Sequence, residues 1–207
     1  MRTFVYVDGF NLYYRTLKGT SWKWLDLVAL SKTVLQQHHD ILKVKYFTAR
    51  VSGVPSDPSK HQRQDMYLRA LQQFRPEVEV YLGYFLRHRV RAALAQPLSG
   101  RQTVEVIKTE EKGSDVNLAV HLLNDGWLDS YDCGVVVSND SDITEAMRLV
   151  REQHGKRIGL VTPGTGRHLQ QLKKHADFVR HIRASGLRHS QLPDPIPGTN
   201  IRKPTAW

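Results

Sequence analysis

The chain has 207 residues, of which 40% are apolar and 24% charged, the proportions of an ordinary soluble domain. This composition excludes a chain that is mainly disordered, collagen-like or membrane-spanning, and the length suits one domain or at most two small ones. The 30 Lys and Arg residues exceed the 20 Asp and Glu residues, so the net charge is +10. Such a charge favours a polyanionic partner, either nucleic acid or an anionic membrane surface.

Two further features narrow the class of protein. Cys133 is the only cysteine of the sequence, which excludes an internal disulfide and a metal site built from paired cysteines. The apolar run at residues 4–7 is too short for a signal-peptide core, and no stretch approaches the ~18 apolar residues of a membrane span. We therefore expect a cytoplasmic protein with no membrane partner.

Six short apolar runs predict β-strands, and helical patterns lie between most of them. The strands are expected at residues 4–7, 44–51, 78–86, 134–137, 158–161 and, more weakly, 178–182. Helices are expected at residues 10–17, after a cap at Asp26, after a cap at Asp57 with Pro58 as first residue, and from about Ser114, Ser141 and Arg167. This alternation predicts an α/β fold with a mostly parallel central sheet flanked by helices on both faces.

Two segments depart from this alternation. Residues 101–110 alternate between apolar and polar side chains, which predicts an exposed strand or hairpin arm between the strand–helix units. Residues 186–207 contain four prolines and predict an extended wrap or a mobile end. We therefore expect one domain at residues 1–185 and a proline-rich C-terminal extension at residues 186–207.

Acidic side chains follow two of the predicted strands at the point where each strand ends. Asp8 comes directly after the first strand, and Asp140 lies just past the fourth. If the strand order is the common 3-2-1-4-5, both carboxylates lie at the carboxyl edge of the sheet, where open α/β sheets bind ligands. A later helix would add Asp115, which shares a helical face with the apolar Leu118 and Leu122.

Each of these acids, taken singly, could simply be the cap or first-turn acid of a helix. Three carboxylates at one crevice would repel each other unless a divalent cation held them ionised, and oxygen ligands favour Mg²⁺ or Mn²⁺. We therefore predict that Asp8, Asp115 and Asp140 share a metal ion that activates water against a phosphodiester. Asn11 could bind a metal-bound water or the scissile phosphate. Asp142 could be a first-turn acid or could support a second metal ion.

Several motifs together resemble the NYN domain family, a branch of the PIN-like nucleases. They are VYVDGFNLYY near the start, KGSDVNLAVHLL in the middle, VVVSNDSDI followed by KRIGLVTPG, and an RKPTAW ending like that of bacterial members. The resemblance spans nearly the whole chain and implies a Rossmann-like, PIN-like three-layer fold and metal-dependent cleavage of RNA. It also implies metal and catalytic roles for Asp8, Asp115 and Asp140, supported by Asn11, Ser138 and Asp142. Position 139, often small or Gly in such motifs, is Asn here.

Basic residues are the first candidates for binding RNA. Between residues 80 and 104 the sequence has no acid, whereas it contains Arg87, Arg89 and Arg91. This pattern predicts a phosphate-contacting flap or, as the alternative, a solvated loop that happens to be basic. Lys112 and Ser138, which lie in the motifs quoted above, are also candidates for contacts with RNA.

Aromatic residues and one turn are further candidates for nucleic-acid contacts. Trp22 lies in a polar loop and could stack on a base of a single strand. Tyr13 and Tyr14 could do the same, although their helical spacing is more typical of a core. The turn at residues 163–166 precedes a predicted helix and is a weak candidate for a phosphate site.

The combined prediction is a metal-dependent endoribonuclease with Mg²⁺ or Mn²⁺ as its cofactor and single-stranded or structured RNA as its partner. Two alternatives stay open. One is a non-catalytic RNA-binding or scaffold protein with a vestigial acidic site, and the other is a metal-dependent phosphatase or nucleotide hydrolase. The sequence also leaves open whether several copies of the chain form a homo-oligomer.

Overall fold

A computed structural model describes residues 1–98, 100–164 and 169–207 of the chain. Within these residues, seven strands form one sheet in the order β4-β3-β2-β1-β5-β6-β7. The strands are β1 (Arg2–Asp8), β2 (Asp40–Ala49), β3 (Val78–Leu98), β4 (Arg101–Lys112), β5 (Cys133–Val137), β6 (Arg157–Thr162) and β7 (Phe178–His181). All neighbouring pairs are parallel except β3 and β4, which are antiparallel. This order confirms the predicted 3-2-1-4-5 arrangement, with β5 as the fourth predicted strand.

Helices connect the strands of this sheet. In the described part of the chain they are α1 (Gly9–Leu12), α2 (Leu27–Val34), α3 (Lys60–Phe74), α4 (Ser114–Trp127), α5 (Thr144–Gln153), α6 (Leu169–Lys174) and α7 (Ala184–His189). A π-helical turn at Tyr13–Leu17 continues α1, and a 3₁₀ turn at Ser141–Ile143 precedes α5. None of the described helices combines the length and the apolar character that crossing a bilayer requires.

The alternation of side chains along β1 explains the three layers of the fold. Val5 and Val7 belong to one buried cluster and Phe4 and Tyr6 to the other, because successive side chains of a strand face opposite sides of the sheet. Residues of α2 and α3 complete the first cluster, and residues of α4 and α5 complete the second. The predicted α/β fold, with helices on both faces of a mostly parallel sheet, is confirmed.

A buried ion pair holds α4 against the sheet. Lys45 on β2 is only 6% exposed, and its Nζ lies 2.7 Å from Oδ2 of Asp125 on α4. The hydroxyl of Tyr6 on β1 donates a hydrogen bond of 2.7 Å to the same carboxylate oxygen. A buried charge is tolerated only when it is paired and hydrogen-bonded, so these contacts favour a single position of α4 over β1 and β2.

The hairpin arm is confirmed and is longer than expected. The third predicted strand ends at residue 86, whereas β3 continues to Leu98 because its second half pairs with β4 as an antiparallel hairpin. In this pairing Phe85 lies opposite Glu111, and Arg91 lies opposite Glu105. The hairpin therefore begins at the sheet edge and carries the basic segment with it.

The predicted cap of α3 at Asp57 is wrong. The helix begins at Lys60, and Asp57 lies in a tight turn, where its backbone exchanges hydrogen bonds with Val54. The carboxylate of Asp57 pairs with Arg63 instead of capping the helix. The predicted helix start at Arg167 lies outside the described residues, as do Thr165 and Gly166 of the candidate phosphate turn.

The proline-rich segment wraps around its own domain. Leu187, Leu192 and Ile196 are buried in the same cluster as Trp24. The indole Nε1 of Trp24 donates to the carbonyl of Pro193 over 3.1 Å, and the backbone amide of Leu192 donates to the carbonyl of Trp24 over 2.8 Å. Apolar burial and these hydrogen bonds together fix residues 187–196 on the domain.

The core beneath α4 gives a first prediction about stability. Leu122 is fully buried on this helix, so Leu122→Ala should lower the free energy of unfolding by about 2–5 kcal/mol through lost burial and a residual cavity. Val120 lies on the same helix but is 55% exposed, and Val120→Ala should change that free energy by less than about 0.5 kcal/mol. Urea denaturation of both variants measures the difference, and equal effects would contradict the assigned faces of α4.

Candidate functional site

Asp8 lies at the centre of the candidate site, at the carboxyl end of β1. It is only 3% exposed and caps α1, because its Oδ1 accepts a hydrogen bond of 2.8 Å from the backbone amide of Asn11. Its other oxygen, Oδ2, accepts a hydrogen bond of 2.8 Å from the hydroxyl of Ser138, just past β5. The two neighbouring strands are thus joined through one carboxylate.

The loop after β5 continues this network. The hydroxyl oxygen of Ser138 accepts from the backbone amide of Asp140 over 3.0 Å, and Asp140 Oδ1 accepts from the amide of Asp142 over 3.0 Å. The backbone amide of Asn139 donates to Asn11 Oδ1 over 3.1 Å, and its side-chain amide donates to the carbonyl of Pro163 over 2.8 Å. The Asn at position 139 therefore ties the loop to α1 and to the segment after β6.

Four carboxylates line one cavity beside this network, which we call the acidic cavity. Its volume is about 240 Å³, and the acids are Asp8, Glu111, Asp115 and Asp140. Asp8 and Asp140 arrive from the strand ends, whereas Asp115 arrives in the first turn of α4. Asp8 and Asp140 also cap helical turns, so each of them combines a capping contact with a position at the cavity.

Glu111 was not predicted from the sequence. It lies near the end of β4, where its Oε1 accepts a hydrogen bond of 3.1 Å from the backbone amide of Ser114. Gly83 permits this position, because a Cβ at residue 83 would lie only 2.5 Å from Glu111 Oε1. The available signal was its place directly before the KGSDVN motif, four residues ahead of Asp115.

Burial and mutual repulsion raise the pKa values of two of these acids. Burial is the largest cause of the raised pKa of Asp8; Asp140 and Glu111 add to it, while the hydrogen bonds from Asn11 and Ser138 oppose it. Burial also raises the pKa of Asp115 to about 7, with further contributions from Asp8, Asp140, Glu111 and Asp142. Among the described residues, no Lys, Arg or His forms a salt bridge with any of the four carboxylates.

The donor set suits a hard divalent cation, although the three predicted ligands do not form a closed metal centre. Within the described ranges, no three His, Cys, Asp or Glu side chains are arranged so that they could hold a metal ion. The sharing of one ion by Asp8, Asp115 and Asp140 stays a prediction, and the structure places all three in the lining of one cavity. Carboxylate oxygens without a cationic partner are nonetheless typical Mg²⁺ ligands, and Mg²⁺ commonly uses only one or two of them and keeps several waters. The chemistry of the site fits such an ion.

The remaining predicted residues take different positions. Asn11 lines the acidic cavity, whereas Asp142 is exposed on the 3₁₀ turn and is not among the lining residues. Ser138, predicted to contact RNA, is fully buried, and its hydroxyl is hydrogen-bonded to Asp8 and to the backbone amide of Asp140. Lys112 is ion-paired with Glu110 on the hairpin. Trp22 is half-buried against the first core cluster and lines neither this cavity nor the one described below.

The three arginines that we expected to contact phosphate form a row along β3, which begins next to the acidic cavity. Arg87, Arg89 and Arg91 are exposed, and they follow Phe85 at intervals of two residues along β3. Residues two apart share a face of a strand, about 6.8 Å from each other. Phe85 and its partner Glu111 both line the acidic cavity, so the arginine row lies on the cavity face of the hairpin.

A second cavity, of about 400 Å³, adjoins the acidic one, and we call it the aromatic cavity. Phe10 and Tyr14 line both cavities. Its aromatic lining residues are Phe10, Tyr13, Tyr14, Tyr46, Tyr67 and Trp207, and its charged ones are Lys23, Asp57, Lys60 and Arg63. Its residues come from α1 and the π-helical turn, from β2 and α3, from the loops before α2 and α3, and from the end of the wrapping segment. No local sequence pattern connects these segments.

The raised pKa of Asp115 predicts that the stability of the metal-free protein depends on pH. Its pKa is about 7 in the folded chain, against about 3.9 for an unfolded Asp, so the folded state binds more protons between these values. The free energy of unfolding should therefore fall as the pH rises from about 4 to about 7 and level off above. In Asp115→Asn this fall should be smaller, as measured by urea denaturation in EDTA across that range.

Asp142→Asn provides the matched control for this measurement. Asp142 lies outside the acidic cavity, so its substitution should keep most of the fall. A wild-type stability that rises over this pH range, or an unchanged profile in Asp115→Asn, would contradict the electrostatics assigned to the site.

Three comparisons place the chain among known proteins. The 6-hydroxy-3-succinoylpyridine 3-monooxygenase HspA of Pseudomonas putida is 34% identical over 234 residues, which cover 99% of this chain and 73% of that protein. A protein of unknown function from Vibrio parahaemolyticus has a crystal structure that aligns with a TM-score of 0.54 and 18% identity, covering 88% of this chain and 93% of that one, and it supports the fold. The NYN domain model, which indicates a nuclease-like fold, matches residues 2–182. The chain therefore belongs to the NYN domain family.

Proposed function

We propose that this protein is a metal-dependent ribonuclease that hydrolyses RNA phosphodiester bonds at the acidic cavity, with Mg²⁺ or Mn²⁺ as its cofactor. The observation that carries the proposal is the convergence of four carboxylates without a cationic partner among the described residues. Such an arrangement costs stability, because buried acids raise each other's pKa. A cost of this kind is typical of a functional site.

The residues of the site would bind the metal ion, bind the phosphate or position the acids. Asp8 and Asp140, with Asp115 and Glu111 beside them, would hold the ion directly or through water. When bound, the ion supplies activation of a water molecule and stabilises the leaving oxygen. Asn11 uses its Oδ1 to accept from Asn139, so its side-chain amide can donate to an oxygen of the scissile phosphate. Ser138 is a positioning residue that orients Asp8 and the backbone of Asp140.

The surroundings of the cavity support a polyanionic substrate. Phosphate is repelled by an acidic pocket unless metal ions and basic side chains compensate for its charge. The row of Arg87, Arg89 and Arg91 supplies such side chains on the cavity face of the hairpin. A strand that contacts this row can lie with one phosphate at the acidic cavity.

The central prediction concerns cleavage of labelled single-stranded RNA. Asp8→Asn and Asp140→Asn should each lower the cleavage rate in Mg²⁺ or Mn²⁺ by about 100-fold or more, because each removes a charge that would hold the ion. Glu145→Gln is the matched control, since Glu145 is an exposed acid that pairs with Arg148 on α5, and its rate should stay near that of the wild type. Cleavage that survives both Asp substitutions would refute the metal site.

The same experiment separates the two alternatives. Tight RNA binding without cleavage in any metal would indicate a non-catalytic RNA-binding protein. Hydrolysis of a mononucleotide without cleavage of the polymer would indicate a nucleotide hydrolase. An EDTA control, followed by restored activity on addition of Mg²⁺, shows the metal dependence directly.

A second candidate function follows from the Pseudomonas relative, whose name describes oxidation of a substituted pyridine. The aromatic cavity is the observation that favours a small planar substrate. Incubation with 6-hydroxy-3-succinoylpyridine, dioxygen and a reduced nicotinamide tests this candidate. Consumption of the pyridine that depends on all three components would support it.

The arginine row gives a separate prediction about RNA binding. Arg87→Gln together with Arg91→Gln should weaken RNA binding and reduce the slope of log affinity against log salt by about 0.7 for each lost phosphate contact. Lys108 carries the same charge on the opposite face of the hairpin, where it pairs with Glu110, so Lys108→Gln should leave the slope nearly unchanged. Fluorescence anisotropy at several salt concentrations measures the slopes. Equal slopes for all variants would place the strand elsewhere.

A further inference from the structure

We propose that the aromatic cavity holds an unpaired nucleobase of the RNA strand whose neighbouring phosphate lies at the acidic cavity. This inference rests on the proposed ribonuclease function and adds the form of its substrate, a single strand with an accessible base. The chemistry that the cavity recognises is a planar heteroaromatic ring attached to an anionic backbone.

The first support is the continuity of the two cavities. Phe10 and Tyr14 line both of them, and Gly9, which lines the aromatic cavity, directly follows Asp8. A Cβ at residue 9 would lie 2.7 Å from the carbonyl oxygen of Phe47 and 2.8 Å from the ring of Tyr46. The start of α1 is therefore packed closely against β2, which fixes the shared wall.

The second support is the exposed aromatic surface. The side chain of Tyr14 is 55% exposed, although its ring stacks with Phe10 at 6.4 Å and meets Tyr13 edge-on at 5.2 Å. Both tyrosines lie on the π-helical turn, an element that often marks functional sites. Base stacking on such rings needs no particular base, because each base has a π-face.

The third support is the fit in size and charge. A volume of about 400 Å³ lies within the range of small-ligand sites, roughly 300–1,000 Å³. Lys23, Lys60 and Arg63 line the cavity with Asp57 as its one acid, which is the opposite charge balance to that of the acidic cavity. Arg63 pairs with Asp57 and donates to the hydroxyl of Ser59, so Lys23 and Lys60 supply the excess positive charge of the lining.

The wrapping segment completes the cavity. Trp207 packs against Tyr67 at 5.8 Å and Trp24 at 6.4 Å, and its backbone amide donates to the carbonyl of Pro204 over 3.0 Å. Lys203 Nζ donates to the carbonyl of Ser21 over 2.9 Å and holds the segment in place. Residues far apart in the sequence thus form one aromatic wall.

Binding of single-stranded RNA in EDTA, where cleavage is absent, tests the inference. The probe is a short oligonucleotide that carries fluorescent 2-aminopurine, whose emission should be quenched on binding to the wild type. Tyr14→Leu and Trp207→Leu should each weaken binding by about 5- to 150-fold, the range expected for loss of one base stack. Trp127→Leu removes a tryptophan that is 76% exposed on α4, away from both cavities, and should bind like the wild type.

An abasic oligonucleotide of the same length supplies the matched substrate control. It keeps the phosphates, so the wild type and Tyr14→Leu should bind it equally. Because Tyr14 is exposed, this variant tests the cavity even where Trp207→Leu releases the wrapping segment. Equal binding of the base-containing strand by Tyr14→Leu and Trp127→Leu would overturn the inference.

Two further outcomes keep this inference separate from the proposed function. Cleavage of RNA by a protein whose affinity does not depend on Tyr14 would refute the base site and leave the ribonuclease proposal standing. A stacking effect without cleavage in Mg²⁺ or Mn²⁺ would refute the ribonuclease and retain the base site.

A small molecule is the alternative occupant of the aromatic cavity. Saturable binding of 6-hydroxy-3-succinoylpyridine that is lost in Tyr14→Leu, with unchanged RNA affinity, would assign the cavity to a small molecule and overturn the inference.

Discussion

The hydrogen bond from the hydroxyl of Ser138 to Asp8 Oδ2 is the contact on which the candidate site depends. It joins the ends of β1 and β5, which are neighbours only because of the strand order. The same hydroxyl accepts from the amide of Asp140, so it orients the second acid as well. Since Ser138 is fully buried, water does not compete for these hydrogen bonds. The positions of Asp8 and Asp140 relative to each other are therefore fixed.

The uncompensated carboxylates of the acidic cavity lower the free energy of unfolding, whereas the rest of the fold contributes to it. Its carboxylates lack cationic partners among the described residues, whereas Asp125 at the other end of α4 is neutralised by Lys45 and hydrogen-bonded by Tyr6. One helix therefore carries a compensated acid that anchors it and an uncompensated acid, Asp115, that faces the site. A protein can retain such a difference when a bound cation restores the balance.

The sequence predicts the parts of the site that depend on local pattern and strand order. Asp8 and Asp140 follow from the ends of apolar strands, and Asp115 follows from the apolar face of its helix. Glu111 does not, because its position depends on the register of β3 with β4. The aromatic cavity cannot be predicted in this way either, since Tyr14, Tyr46 and Trp207 meet only through tertiary packing. Trp22 was favoured because its neighbours are polar, yet packing against the core buries part of its ring.

The β3–β4 hairpin holds exposed arginines at a fixed position relative to the acidic cavity. The net charge of +10 would suit any binder of polyanions, but β3 and β4 place Arg87 and Glu111 on one face, so an exposed arginine and a cavity acid share a single register. A slip of one residue in β4 would turn Glu111 to the opposite face. Close packing at Gly83, together with the hydrogen bond from the amide of Ser114 to Glu111, opposes such a slip at the base of the hairpin. The distance between the arginine row and the acidic cavity is therefore set by backbone pairing, which fixes it more firmly than a flexible basic loop could.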